Sequence, residues 1–433
     1  LPCDREQTTA DCELEALGRA YGLLAKDATV VVESALPGHS VSESIRRPTD
    51  LSSPVIAVDH QACIMCDRCI RACDEVQSNE VIGRTGKGFA AQIAFDLDAP
   101  MGSSTCVACG QCAAACPTGA LTDRVVTLPL APRDQLTPVD SVCPYCGVGC
   151  AVTFHTAPTA PSPAPPPHQP RLTAEDSHCD PPPQIVFAEG RTSPVNQGRL
   201  CVKGRYGWDY ATHSQRLTQP LIRREDAYPK GPLSSEVAGS TESRRRKPGG
   251  IVDYDEVLPA FREATWEEAL DLVANRLLAI RSEYGSPALA GFGSAKCSNE
   301  EAYLFQKLIR AGLGTNNVDH CTRLCHASSV AALMETIGSG AVTNVFADVA
   351  RSDVALVTGS NTTANHPVAA TFIKQAAKRG TKLIVVDVRS HPLTDFADHF
   401  VRIRPGTDVA FYNAVMHVLI RENLVDTDFI GAR

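Results

Sequence analysis

Hydrophobic patterning divides the chain near residue 250. Beyond it, apolar residues recur with helix and strand periods in alternation. WEEALDLVANRLLAIRSEYG puts Leu270, Val273, Ala274, Leu277 and Leu278 on one helical face, opens on Thr265 and Glu268 at capping-box spacing, and stops at Gly285. An apolar strand is expected over Ala288 to Phe292, a helix over Glu300 to Ala311, and another helix ending at Gly338. DVALVT (Asp353 to Thr358) and KLIVVDV (Lys382 to Val388) have the continuous apolar character of buried parallel strands and flank a helix over His366 to Arg379. That order predicts a right-handed crossover in a doubly wound sheet, with ligands outside the carboxyl ends of its strands. Gly359, Ser360, Asn361, Asp387 and Arg389 fall at such ends, where a nucleotide-bearing cofactor is expected.

Ahead of residue 250 the periodicity fades. Leu1 to Leu24 ends in a short amphipathic helix pattern. Ten prolines between Thr156 and Gln184 preclude a regular packed element and predict an extended insertion. Arg224 to Gly250 is poor in apolar residues and rich in Ser, Gly and charge, so it reads as a solvated linker rather than as a docking patch built on Arg244 to Lys247.

Composition changes the picture through cysteine. The 433 residues contain 18 cysteines, most in tight C-x2-C groups rather than at the wide spacings of a secreted disulfide framework. Metal-bound thiolates and a reducing, cytoplasmic compartment follow. A net charge of -8 argues against a nucleic-acid partner, and no apolar run approaches the roughly 20 residues that cross a bilayer.

CIMCDRCIRAC and CVACGQCAAACP each read C-x2-C-x2-C-x3-C, an internal repeat between Pro54 and Leu128. In a two-cluster ferredoxin fold the fourth Cys of each run serves the other cluster. Cys63, Cys66, Cys69 and Cys116 would then hold one 4Fe-4S cluster, and Cys73, Cys106, Cys109 and Cys112 the second. Pro117 follows Cys116 as the bacterial motif prefers, whereas Asp74 follows Cys73. Zinc needs only four ligands at looser spacing, and eight thiolates in a duplicated pattern disfavour it. Cys143, Cys146 and Cys150 in CPYCGVGC open a third site that lacks its fourth ligand. Cys179 lies nearer but inside the proline-rich stretch; Cys201 sits in the compact NQGRLCVKGRYGWDY and is assigned.

With CPYCGVGC, GRLCVKGRYGWDY, the double ferredoxin module, CTRLCHASSV and VDVRSHPLTDFADHFVRIRPGTD in this order, the chain resembles the molybdenum or tungsten bis-pterin oxidoreductases. Within them it resembles the catalytic (alpha) subunit of NAD-dependent formate dehydrogenases, as an N-terminal fragment. The implied fold class is α/β with iron-sulfur modules. Residues 1–50 would be a remnant of a cluster-binding segment, 51–135 the two-cluster ferredoxin-like domain, and 136–223 a small 4Fe-4S domain interrupted at 156–184. Residues 224–250 would be a linker or insertion, and 251–433 a truncated α/β pterin domain. The family's N-terminal ligand pattern, H-x3-C-x2-C-x5-C, retains Cys3 and Cys12 here, with Glu6 in the middle position. A cluster there and two cysteines left from a lost site stay open as alternatives.

The resemblance further implies that Cys325 ligates the metal of a bis-molybdopterin guanine dinucleotide centre, with His326 beside it as the group that handles a proton or hydride. It places Lys203 between the third cluster and a pterin. Asn361, Asp387, Arg389, Pro405, Gly406, Thr407 and Asp408 would hold the nucleotides. The substrate-binding Arg of the family falls beyond Arg433. The implied activity is oxidation of formate to carbon dioxide, or the reverse, with electrons passing through three 4Fe-4S clusters to a flavin- and NAD-binding diaphorase-type subunit. Molybdenum and tungsten are not separated. Two rivals remain: a nitrate reductase, in which His would not follow the ligand Cys, and an electron-transfer scaffold like the complex I large subunit, which would not need Cys325.

Overall fold

The duplicated cysteine run folds as a duplicated backbone. In the computed structural model, residues 10–22, 47–124, 132–158, 183–213, 216–225, 258–340 and 344–432 are described; Cys3, Glu6, Cys179 and Arg244 to Lys247 lie outside them. In the first repeat Met65 and Asp67 are left-handed (φ 55° and 61°), and in the second Ala108 and Gly110 occupy the matching places (φ 53° and 71°). Each kink curls its loop inward before a short helix, α2 (Arg68–Arg71) or α3 (Gln111–Ala115). An earlier helix, α1 (Glu13–Ala20), carries the amphipathic pattern expected near the N-terminus.

Contacts divide the chain into two units, Leu1–Asp209 with Asn344–Arg433, and Tyr210–Thr343. In the first, β1 (Ile56–Val58) pairs antiparallel with β4 (Leu121–Asp123), and β2 (Ile82–Thr85) with β3 (Gln92–Phe95). Ile56, Val58, Ile93, Phe95, Met101 and Leu121 fill the core beneath the cysteines. Each such side chain contributes about 1.5–3 kcal/mol by leaving water. A second sheet has the order β5 (Thr137–Val142), β6 (Ala151–Ala157), β7 (Gln184–Gly190), all antiparallel. Ala157 pairs with Gln184, so the proline-rich insertion joins two strand ends that already lie side by side. Helix α4 (Val202–Tyr206) follows Cys201.

In the second unit β8 (Leu221–Arg223) pairs with β9 (Phe261–Glu263), and the long helix α5 (Trp266–Tyr284) follows. The Thr265 hydroxyl accepts from Glu268 N at 3.1 Å, but the Glu268 carboxylate is held by Arg262, so only half of the expected capping box forms. Gly285 ends the helix at φ 81°. On its apolar face only Leu277 packs inward, against Leu289, Ile309 and Leu313; Leu270, Val273 and Leu278 are exposed. The strand expected at Ala288 starts later, as β10 (Gly291–Gly293), because Pro287 opens a single tight turn, Ser286–Ala288, ahead of it. Next come α6 (Asn299–Lys307), β11 (Val318–His320), parallel to β10, α7 (Thr322–Cys325) and α8 (Ala327–Ile337).

The first unit resumes with β12 (Val354–Thr358), α9 (Thr362–Asn365), α10 (Pro367–Lys378), β13 (Lys382–Asp387) and β14 (His399–Arg402). The strands pair parallel in that order, as the strand-helix-strand pattern predicts. Only β13 is buried as expected; β12 is an edge strand with Val354 and Leu356 exposed. Helices α11 (Asp408–Arg421) and α12 (Thr427–Gly431) close the chain. Helix α10 is buried from Val368 to Ala376. No described helix is long and apolar enough to cross a membrane.

A Cβ on Gly110 would run into the Arg205 Cδ and the Tyr206 hydroxyl, at a residue already at φ 71°. Gly110→Ala is therefore expected to lower stability by about 2–5 kcal/mol, read as the thermal midpoint. Gly88→Ala, at φ 56° with open space around it, should cost about 1 kcal/mol.

Candidate functional site

Three sets of cysteines converge in the first unit. Cys63, Cys66, Cys69 and Cys116 ring one hollow together with Ile93 and Thr118. Cys143, Cys146, Cys150 and Cys201 ring another, with Lys203, Asn365 and Val368 in its wall. In the third set Cys106, Cys109 and Cys112 each lie within electrostatic reach of Cys73, which arrives from the other repeat. The crossed grouping expected of a two-cluster ferredoxin is thus the grouping in space. All of the described cysteines are outside disulfides.

Local backbone explains how the sulfurs are aimed. In each loop the N–H two residues past the first cysteine points to its sulfur: Met65 to Cys63, Ala108 to Cys106 at 3.3 Å, and Tyr145 to Cys143. Cys73 accepts from Val81 N at 3.4 Å. Cys201 is brought to Cys150 by Asn196, which is fully buried. Its amide donates to the Ala151 and Arg199 carbonyls at 3.1 and 2.9 Å and accepts from Ala151 N at 3.1 Å, tying the turn before Cys201 to the strand after Cys150.

Burial opposes ionisation of these thiols. It pushes Cys69 and Cys150 up to about 12, with the like charges of their neighbours adding to the effect, and Cys109 up to about 11. A set of buried thiols becomes a set of thiolates only where a bound cation offsets that cost. Among the described residues no three His, Cys, Asp or Glu side chains converge on one point as a single ion requires. Four sulfurs around a hollow fit a multi-iron cluster better than mononuclear zinc.

Two of the sets touch through the segment after Cys201. Arg205 Nε donates to Cys109 O at 2.9 Å and its NH2 to Gln111 Oε1 at 3.1 Å, while the Tyr206 hydroxyl donates to Asp123 at 2.6 Å. Tyr145 OH donates to Gly207 O, holding the third loop to the same segment. Cys12 is buried at the N-cap of α1, its thiol 3.8 Å from Pro117 O beside Cys116. Its partner in the family's N-terminal pattern, Cys3, lies outside the described residues.

The residues expected to hold nucleotides lie along one edge of the first unit. Asn361 stands at the N-terminal end of α9 after β12, its amide oxygen accepting from Thr363 Oγ1 at 2.8 Å. Asp387 ends β13 and accepts from Val388 N at 2.6 Å and Arg389 N at 3.3 Å. Buried His391 stands 3.6 Å behind its other oxygen. The turn through Gly406 (φ 80°) and Thr407, which donates to Arg404 O at 2.7 Å, leads into α11 at Asp408. All follow the carboxyl ends of adjacent parallel strands, and a Cβ at Gly359 or Gly406 would meet nothing within 4 Å. An open, polar edge of this kind suits a nucleotide. On the second unit, Cys325 Sγ and His326 Nε2 are 3.2 Å apart at the exposed junction of α7 and α8.

Three family models match consecutive stretches: the NADH-quinone oxidoreductase subunit 3 ferredoxin-like domain at 53–122, the molybdopterin oxidoreductase Fe4S4 domain at 136–213, and molybdopterin oxidoreductase at 216–430. Two of the three, over 136–213 and 216–430, are molybdopterin oxidoreductase domains. "Probable oxidoreductase YjgC" of Bacillus subtilis is 32% identical over 89% of this chain and 37% of its own length. "Putative formate dehydrogenase SAB2186c" of Staphylococcus aureus is 29% identical over 99% of this chain and 40% of its own. The chain therefore spans about two fifths of the length of these relatives. Acetylene hydratase from Pelobacter acetylenicus aligns at a TM-score of 0.46 and 22% identity, over 67% of this chain and 33% of its own.

Asn196, Arg205, His391 and Lys374 were not singled out by the sequence pattern. The first two stand within the NQGRLCVKGRYGWDY segment that marked Cys201, which was the available signal. Cys201→Ser is expected to remove one cluster's share of iron from the purified protein, and Cys179→Ser none; the reverse result would transfer the assignment to Cys179.

Proposed function

We propose that this chain is the cluster-bearing part of a formate dehydrogenase. It would oxidise formate to carbon dioxide, or run the reverse, at molybdenum or tungsten held by two molybdopterin guanine dinucleotides. The observation that carries the reading is the Cys325–His326 pair, 3.2 Å apart, in a chain with relatives named as formate dehydrogenases. Cys325 is the soft donor such a metal takes from a protein. When bound, the metal supplies a two-electron acceptor, which no side chain can be.

The remaining work belongs to side chains. Formate becomes carbon dioxide by losing one proton and two electrons. His326, beside the Cys325 sulfur, takes the proton as general base and returns it to solvent. Asn361, Asp387, Arg389, Gly406, Thr407 and Asp408 hold the nucleotides along the strand edge. The Val388 and Arg389 N–H groups keep the Asp387 carboxylate oriented. Cys143, Cys146, Cys150 and Cys201 hold the first 4Fe-4S cluster, and Lys203 in the wall of the same hollow links it to a pterin. Cys73, Cys106, Cys109 and Cys112 hold the second, and Cys63, Cys66, Cys69 and Cys116 the third. The N–H groups aimed at sulfur favour the thiolates and tune the potentials. Arg205 bridges the first two sets through Cys109 O. The match of residues 53–122 to a subunit of NADH-quinone oxidoreductase supports a flavin- and NAD-binding partner as the acceptor; the compartment we propose is the cytoplasm.

The test uses the full-length, matured protein. It should contain molybdenum or tungsten and reduce a dye with formate. His326→Gln should slow this by about 10²-fold or more, and Cys325→Ser should abolish it with the iron retained. Iron without either metal would turn the assignment to an electron-transfer scaffold, and nitrate reduction without formate oxidation to a nitrate reductase.

A further inference from the structure

Helix α10 carries a buried cation that the proposed reaction does not use. Thr371, Lys374, Gln375 and Lys378 recur at helical spacing and face the backbone of residues 74–80. Thr371 and Gln375 bond to Gln77, Glu75 and Val76, and Lys378 pairs with Asp74 and Glu80. Lys374 is only 7% exposed. Its ammonium donates to Ser78 O at 2.6 Å and to Asn79 Oδ1 at 2.9 Å, and lies 5.5 Å from the Phe396 ring centroid. Ser78 and Glu80 are left-handed (φ 51° and 57°), a coil that turns the Ser78 carbonyl toward the ammonium.

Every hydrogen-bond partner of this ammonium is neutral. A buried charge so placed is expensive unless an anion balances it. The nearby acidic side chains are engaged by Lys378, which itself repels Lys374. Burial, with Lys378, lowers the Lys374 pKa to about 8; the groups that pull the other way are Cys109 and Cys73, once ionised as cluster ligands, together with Glu80. Asn79, which holds the ammonium, also donates its N–H to Cys73 O at 2.9 Å. Around the Cys63, Cys66, Cys69 and Cys116 set, the charges within reach are Asp67 and its exposed partner Arg84, which largely cancel.

We propose that Lys374 is a built-in counter-charge of the cluster on Cys73, Cys106, Cys109 and Cys112, added to the Arg205 guanidinium at Cys109 O, and that it raises the cluster's reduction potential so that an electron rests there between arrival and onward transfer. This rests on the reading that those cysteines hold a cluster. Four thiolates make such a cluster a net anion, and accepting one electron adds one more negative charge. A fixed ammonium stabilises the reduced form more than the oxidised one.

Redox titration of the three clusters in the holoprotein, followed by electron paramagnetic resonance, tests this. Lys374→Met should weaken electron affinity of one cluster about tenfold, a fall of about 59 mV for a one-electron couple, and leave the other two unmoved. Lys374→Arg should restore the potential, and Lys374→Gln, polar and uncharged, should reproduce the fall if Met impairs folding. Unchanged potentials in Met or Gln variants with full iron content would overturn the proposal. Cys109→Ser identifies the shifting signal; if it removes no cluster signal from the protein, the underlying cluster reading fails as well.

Discussion

Helix α10 meets the sheet through Ile373, which packs on Leu383, Val385 and Leu393. With Val368, Ala369 and Phe372 it joins the core around Cys143, Cys150 and Leu200. With Thr371, Lys374 and Gln375 it caps the carbonyls of the first ferredoxin repeat. A helix surrounded in this way has to satisfy polar groups on one side and fill apolar space on the others. The carbonyls of Glu75, Val76 and Ser78 belong to the chain that runs on from Cys73, so packing of the sheet and placement of a cysteine are one constraint. Arg199 reinforces the junction, donating to Val76 O at 2.9 Å with its guanidinium over the Phe372 ring.

The cysteine loops obey a second constraint. Three sulfurs from one short loop have to face inward, and a right-handed helical or extended backbone would alternate or spiral them away. Left-handed residues at matching places in both repeats supply the curl, with Met65, Asp67 and Ala108 accepting a conformation that Gly110 adopts freely. Gly110 has an added reason to lack a side chain, since Arg205 and Tyr206 occupy the space. One loop of the ferredoxin module and the segment following Cys201 therefore touch backbone to side chain.

Much of this was legible in the residues. The repeat, the crossed cysteine sets, the parallel strands about α10 and the strand-end positions of Asn361 and Asp387 all follow from spacing and period. Cys201 could be preferred over Cys179 by context, and Asn196 is the physical form of that context. What escaped was the polar stripe of α10. Thr371, Lys374, Gln375 and Lys378 at helical spacing look like any solvated helix face, and only the fold reveals that backbone carbonyls take the place of water. The apolar stripe of α5 misled in the opposite sense, for Leu270, Val273 and Leu278 have no cover among the described residues. The start of β10 shifted because a proline's fixed φ outweighs apolar character over one turn.

The pairing of Ala157 with Gln184 bears on how such a chain changes over generations. The ends of the intervening segment are held together by the sheet whatever lies between them, and doubling a loop's length adds only about 0.6 kcal/mol to its closure cost. Duplication slippage in a proline-coding tract there would leave Cys150 and Cys201 in register, so a change of length in the segment carries little cost to the site at its borders.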